Sequence, residues 1–461
     1  MMKIYGHLVL WLAVAGMLSA CTTTGAERTS ADADSVYLDK SLVPQPPMGW
    51  NGWDTFGFYH TDENVRSVAD YMAENLASVG YEYVVVDMGW YITPEESDYA
   101  RWASNQFPRP DYSLDAYGRL IPDPDKFPSS RGGKGFKPLA DYVHGLGLKF
   151  GLHIMRGIPW SAAEQNLPIK GTEFKAASIA DSTDGCEWYE GMYGVKMSQP
   201  GSQAYYNSLF ELYASWEVDY VKADDQVNED ELIAINKAIA QCGRPIVLSI
   251  VGDVSDEAQQ QYSHLWRIST DFWDDWEMLK AQFGNAIHWA PTIGEQGWPD
   301  LDMMPVGKVG KYICYKGPER QSAFNEDELH TLFTLWYIVR SPLMLGGDLP
   351  ETDSLTLSLI KNTEALAVNQ RSENNRLVKW MNAEMVWTAD VPNSEDKYVA
   401  LFNVFGCGAL DLGLAWKDIG LKGDSYRVRD LWKQEDIGAF AGKFTQPINQ
   451  HGAGLYRVSK R

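Results

Sequence analysis

Short, nearly continuous apolar runs alternate with segments of helical period along most of this chain, and that alternation constrains the fold more than any other feature. Tyr83–Asp87, Lys149–Ile154, Asp219–Lys222, Pro245–Val251 and Leu265–Ser269 are such runs, with Ser341–Leu345 a sixth candidate. A strand covered on both faces has no polar alternation to show. Helical signals lie between the runs. After Thr61, apolar residues fall at Val65, Val68, Met72, Leu76 and Val79, and Gly80 stands at the C-cap position. Asn228 followed by Glu231 reads as a capping box opening a helix that turns Leu232, Ile235 and Ile239 inward. Repeated strand and helix predict an α/β architecture, a (β/α)8 TIM barrel over residues 44–370. Beyond Gln370, short runs such as Met385–Thr388, Tyr398–Phe402 and Tyr426–Val428 predict a small antiparallel β-sandwich domain over 371–461.

Chemistry-bearing residues close or follow short apolar runs: Trp50, Asp87, His153, Asp224 and Asp271. A parallel barrel carries its reactive groups at the C-terminal rim of its strands. In Asp219-Tyr220-Val221-Lys222-Ala223-Asp224, strand geometry puts Lys222 and Asp224 on one face. A neighbouring ammonium keeps a carboxylate ionised, as a nucleophile must be. Asp271 stands among Phe272, Trp273 and Trp276, surroundings that favour the protonated form a general acid needs. Arg267 is placed to hold a sugar hydroxyl. Two carboxylates on separate strand ends are the pair that cleaves a glycosidic bond with retention. The segments 91–136 and 158–197 are rich in Pro, Gly and charge, and read as long loops shaping a cleft above the rim.

The net charge of −22 argues against binding nucleic acid or an anionic membrane surface through charge. At the N-terminus, Lys3 and the apolar stretch Leu8–Leu18 read as a signal segment over residues 1–20. Leu18-Ser19-Ala20-Cys21 has the form of a bacterial lipobox, predicting a lipid on Cys21 and a cell-envelope location, with Thr22 fitting the outer membrane. Residues 21–43 then form a flexible tether. Membrane contact is expected only through that anchor. Cys186, Cys242, Cys314 and Cys407 permit three disulfide pairings, or remain free thiols. No Cys-x-x-Cys, His-x-His or His-Glu-x-x-His spacing marks a metal site. No residue pattern specifies an oligomer.

Pro46-Pro47-Met48-Gly49-Trp50-Asn51-Gly52-Trp53 resembles the opening motif of glycoside hydrolase family 27, the clan D α-galactosidases. The resemblance continues in order through Tyr83–Asp87, Asp219–Asp224, Trp266–Asp271, Trp298-Pro299-Asp300-Leu301-Asp302-Met303, Ser341-Pro342-Leu343 and Ala367-Val368-Asn369-Gln370. It implies a retaining double displacement on a galactose-containing oligosaccharide or polysaccharide, with Asp224 as nucleophile and Asp271 as acid/base. Trp53, Asp87, Lys222, Arg267 and Asp302 match residues around the sugar. No cofactor or metal is implied.

Three positions depart from the family pattern. Met88 follows Asp87 where the α-galactosidases commonly carry a second Asp, the two together gripping O4 and O6. His153 stands where they usually have Tyr, and Val251-Gly252 where a Glu-Trp pair is frequent. A thioether accepts no strong hydrogen bond. The preferred sugar is therefore expected to be other than plain terminal galactose, or a galactose modified at O2, O4 or O6. His153 is a candidate hydroxyl donor and Arg156 a candidate ligand for an anionic substituent. The family also includes β-L-arabinopyranosidases and an isomaltose-releasing dextranase, which are alternative activities. A non-catalytic glycan-binding lipoprotein is the alternative from another class, opposed by the retained Lys222, Asp224, Arg267 and Asp271.

Overall fold

The computed structural model describes residues 38–93, 109, 111–294, 296–313, 316–381 and 383–460. The expected signal segment, Cys21 and most of the tether lie outside the described residues, as do Cys314 and 94–108 of the first long loop.

Eight parallel strands form the barrel: β1 (Met48–Asn51), β2 (Tyr83–Val86), β3 (Lys149–Met155), β4 (Tyr220–Asp224), β5 (Val247–Ile250), β6 (Leu265–Arg267), β7 (Trp298–Asp300) and β8 (Leu343–Leu345). Each pairs with its successor from β1 to β7, and β8 pairs back onto β1. Closure between β7 and β8 comes four residues past β7, where Met304 bridges Leu345 in parallel register. The Met304 amide donates to the Met344 carbonyl at 2.8 Å, and the Gly346 amide to the Met304 carbonyl at 2.9 Å. The intervening residues 301–303 therefore arc over the rim.

The apolar runs follow from burial on both faces. Tyr83 and Val85 pack in the lumen with Tyr220, Val247, Leu265 and Met344. Val84 and Val86 point the other way, into the larger core shared with the helices. Most observed strands are shorter than their apolar runs, as with Val247–Ile250 inside Pro245–Val251. β1 and β7 have no counterpart among the six apolar runs: Met48–Asn51 includes Gly49 and Asn51, and the three residues of β7 include Pro299.

The helix Asp62–Asn75 begins at a full capping box on Thr61, and a 3-10 turn, Ala77–Val79, ends at Gly80 with φ 104°. Helix Glu229–Gln241 is capped by Asn228, but the expected reciprocal bond from Glu231 is absent. That carboxylate instead faces Arg156 and Tyr206. The segment 158–197 is not irregular. It folds into a three-stranded antiparallel layer of Ile158–Pro159, Met192–Val195 and Ala180–Gly185. Cys186, Cys242 and Cys407 are free thiols.

The C-terminal strands are β9 (Glu373–Met381), β10 (Glu384–Asp390), β11 (Lys397–Asn403), β12 (Leu410–Ala415), β13 (Ser425–Asp430), β14 (Glu435–Ala441), β15 (Lys443–Ile448) and β16 (Ala453–Lys460). They form a six-stranded sheet in the order β9-β10-β11-β16-β13-β14, covered by the pair β12-β15. In β10, Val386 faces the second sheet while Met385 and Trp387 pack towards the barrel helices. Both faces are again buried. Polar contacts tie the domain to the barrel, including Trp432 Nε1 donating to Thr334 Oγ1 at 3.0 Å and the His451 ring stacked on Trp276 at 3.7 Å.

Candidate active site

Alternation along three neighbouring strands carries four polar side chains to one rim. In β4, Tyr220, Lys222 and Asp224 share a face, and Tyr220 lines the lumen, so Lys222 and Asp224 top the same column. In β2 the column Tyr83, Val85 continues to Asp87. In β3, His153 pairs in register with Lys222, and Met155 with Asp224.

These residues form one charged cluster. Lys222 Nζ donates to Asp87 Oδ2 at 2.9 Å, and Asn51 Nδ2 donates to the same oxygen at 2.7 Å. Asp87 Oδ1 accepts from the Met88 amide at 2.7 Å. Burial alone would push the Asp87 carboxyl up, but Lys222, with His153 and the Met88 amide, holds it well below the usual carboxylate range. Burial likewise works against a charged Lys222, and Asp87 and Asp224 outweigh it, raising its pKa.

Asp224 accepts from the Asp225 amide at Oδ1, 2.7 Å, and its Oδ2 lies 3.2 Å from His153 Nε2. Burial opposes ionisation here too. The hydrogen bond to His153 and the charges of Lys222 and Arg267 win, and the pKa falls below the ordinary value. The result is an ionised carboxylate, partly open to solvent, above a buried cationic floor.

A second group sits beyond β6 and β7. Arg267 Nη2 donates to Asp271 Oδ1 at 2.8 Å and Nη1 to Asp302 Oδ2 at 3.3 Å, while Nε reaches the Ser269 carbonyl at 3.1 Å. Asp302 has φ 90°, a conformation costly for a side chain with Cβ. Bonds on every side hold it there: Asp300 Oδ1 accepts from its amide, Trp336 Nε1 donates to its carbonyl, and its carboxylate takes the Phe272 and Met303 amides. Burial pushes the Asp302 carboxyl up, against Arg267. Burial, with Asp302 beside it, pushes Asp300 to about 7.

Among the described residues, the aromatic enclosure expected around Asp271 is not formed. Its side chain is 59% exposed, and Phe272 turns inward against Trp336 at 5.1 Å while Trp276 stacks on His451. Strand β6 ends at Arg267, so Asp271 lies in the loop four residues later. Trp53, half-buried, stands edge-on to Phe58 at 5.3 Å, its amide held by Asn51 Oδ1 at 3.1 Å. Asn51 is thus a second anchor of this rim. Sequence reasoning missed it, although its place inside the opening motif was a signal.

Two departures from the family pattern acquire a physical setting. Met88 is 2% exposed and packs into the core, so the position after Asp87 offers no strong hydrogen-bonding side chain. At Val251-Gly252 the chain runs against the Asp224 loop. The Gln226 amide donates to the Val251 carbonyl at 2.8 Å, and a Cβ on Gly252 would lie 2.2 Å from the Gln226 carbonyl oxygen. Arg156 is not placed as a ligand for an anionic substituent. It is 3% exposed and neutralised by Asp184, Asp225 and Glu231.

Comparison with known proteins agrees with this frame. Residues 186–371 match the family model described as alpha galactosidase A, and 383–458 match the alpha galactosidase C-terminal beta sandwich domain. The crystal structure of a β-L-arabinopyranosidase of this family from Geobacillus stearothermophilus, in complex with arabinose, is 41% identical. It superposes with a TM-score of 0.87 over 93% of this chain and 100% of that one. Among curated relatives, an alpha-galactosidase from Cyamopsis tetragonoloba is 27% identical, over 98% of this chain and 97% of its own length. Alpha-galactosidase A from Cellvibrio japonicus is 26% identical, over 92% and 94%. With both domains and nearly the whole length matched, the chain belongs to glycoside hydrolase family 27, the α-galactosidase family, and acts on O-glycosidic bonds.

Proposed function

We propose that this enzyme is a retaining exo-glycosidase whose preferred terminal sugar is β-L-arabinopyranose. Asp224 attacks the anomeric carbon while Asp271 protonates the departing glycosidic oxygen. A covalent glycosyl-enzyme forms on Asp224, and Asp271 then takes a proton from the water that releases the sugar. The ionised, solvent-accessible Asp224 carboxylate supports the first role. The exposed Asp271, oriented by Arg267, supports the second.

The single observation that carries the sugar assignment is Met88. β-L-Arabinopyranose has the ring configuration of α-D-galactopyranose without the C6 hydroxymethyl group. Asp87 remains to hold a ring hydroxyl, but the residue beside it is a buried thioether. A C6 hydroxyl desolvated without a partner costs about 1–3 kcal/mol. A sugar lacking that group avoids the cost. The 41% identity to an enzyme described as a β-L-arabinopyranosidase points the same way. A galactoside capped at O6 is the second reading that Met88 favours.

The test is kcat/KM for aryl β-L-arabinopyranoside and aryl α-D-galactopyranoside, with wild type and Asp224→Asn. A higher value for the arabinopyranoside, abolished in the variant, supports the proposal. A higher value for the galactoside overturns the sugar assignment.

The lipobox at Leu18–Cys21 supports an envelope-anchored enzyme trimming external glycans. Cys21→Ser expressed in a bacterial host is expected to move the protein from the membrane fraction to the soluble one, and unchanged fractionation would overturn it. Among the described residues, no helix is long and apolar enough to cross a membrane.

A further inference from the structure

We propose that Arg156 is a positioning residue for Asp224, clamping the backbone that follows the nucleophile at the rim. Arg156 directly follows β3, and its amide donates to the Asp224 carbonyl at 3.0 Å. Its side chain then reaches the next residue. Nε lies 3.0 Å from the Asp225 carbonyl and 3.2 Å from Asp225 Oδ2. Nη1 donates to Glu231 Oε1 at 2.7 Å, and Nη1 and Nη2 grip Asp184 as a fork, both at 3.0 Å. Every guanidinium nitrogen is engaged. The partners come from three separate segments: the loop after β4, helix Glu229–Gln241 and the antiparallel layer above β3.

The clamp acts where the backbone turns into the left-handed region. Asp225 has φ 57°, the left-handed region in which a residue with Cβ is uncommon. That turn aims the Asp225 amide at Asp224 Oδ1. Losing the grip on the Asp225 carbonyl would let the peptide relax and turn the nucleophile's amide donor away. Glu231 is fixed from its other oxygen by the Tyr206 hydroxyl, which explains why it does not close the capping box. A lysine cannot reproduce this, since an ammonium lacks the planar fork. Three carboxylates around one guanidinium also make an apolar replacement costly in a way a surface pair would not be.

The inference rests on Asp224 as nucleophile. Arg156→Lys and Arg156→Met are compared with wild type by kcat and KM on the better aryl glycoside, per folded enzyme counted by circular dichroism. A 1 Å misplacement at a reacting group can cost about a hundredfold. The expected result is kcat lowered by about that factor in Arg156→Met and partly restored in Arg156→Lys, with KM within about twofold. Asp184→Ala, at the solvent edge of the clamp, is expected to lower kcat in the same sense but less, and it carries the test if Arg156→Met fails to fold. Unchanged kcat per folded enzyme, or a raised KM with kcat intact, would overturn the proposal. Asp224→Gly with added azide, measured alongside, separates the two readings. Aryl release restored by azide attack at the anomeric carbon upholds the nucleophile assignment whatever Arg156 does.

Discussion

His153 Nε2 lies 3.2 Å from Asp224 Oδ2. The ring is 1% exposed, and its Nδ1 is buried with no hydrogen-bond partner among the described residues. An ionised carboxylate only accepts, so Nε2 carries the proton of this contact. His153 thus serves the carboxylate directly. A hydrogen bond to a charged group contributes about 1.5–3 kcal/mol. His153→Phe is therefore expected to raise the Asp224 pKa and move the acidic limb of the kcat/KM profile upward by about 1 pH unit or more. A limb that stays in place would remove His153 from this role.

Met88→Asp restores a carboxylate beside Asp87 at the position the α-galactosidases commonly fill. The ratio of kcat/KM for galactoside over arabinopyranoside is expected to rise by about tenfold to a hundredfold, from the 1–3 kcal/mol of a satisfied hydroxyl. Burial of the new carboxyl will also lower stability, so the ratio rather than the absolute rate is the quantity to read.

Gly346 and Asp54 are fitted to each other. A Cβ at Gly346 would lie 1.8 Å from Asp54 Oδ2, an oxygen buried without a hydrogen-bond partner among the described residues. Burial, with Asp302 nearby, pushes the Asp54 carboxyl well above its ordinary value. Gly346→Ala is expected to cost about 1–3 kcal/mol by overpacking. Asp54→Ala removes the two nearest atoms, at 1.8 and 2.6 Å, and leaves only Cβ at 2.9 Å, so urea unfolding of the double variant should show less destabilisation than the sum of the two singles.

His264 supplies a pH dependence of stability. Its Nδ1 accepts from the Leu248 amide at 2.9 Å, and Nε2 faces the Asp39 carbonyl at 3.1 Å, an arrangement that requires the neutral ring. Burial, assisted by Lys40, lowers its pKa from 6.5 to about 4. Between those values the unfolded chain binds a proton that the native ring refuses. Stability attributable to His264 is therefore present above pH 6.5 and falls as the pH drops towards 4, at about 1.4 kcal/mol per pH unit. Urea midpoints across that range should fall more steeply for wild type than for His264→Asn.

Most of the barrel was legible because burial on both faces writes an apolar run into the sequence. β1 and β7 were not, since four residues with a glycine and an asparagine, or three with a proline, carry no such signature, and closure at β7 depends on Met304 reaching Leu345. The rim positions of Asp87, Lys222 and Asp224 followed from strand alternation. The surroundings of Asp271 did not, because neighbours in sequence such as Phe272 and Trp276 turn to partners far along the chain. Arg156 shows the same limit more sharply. Its three carboxylates stand 28 to 75 residues away in sequence, and no local pattern distinguishes a clamp from an exposed ligand.

The most direct measurement is mass spectrometry of the enzyme after reaction with a β-L-arabinopyranoside difluorinated at C2 and carrying an activated aryl leaving group. Fluorine slows both chemical steps, and the leaving group speeds only the first, so the covalent intermediate accumulates. The account predicts one sugar adduct, on the peptide containing Asp224, released slowly on incubation. No adduct, or an adduct on another carboxylate, would contradict it.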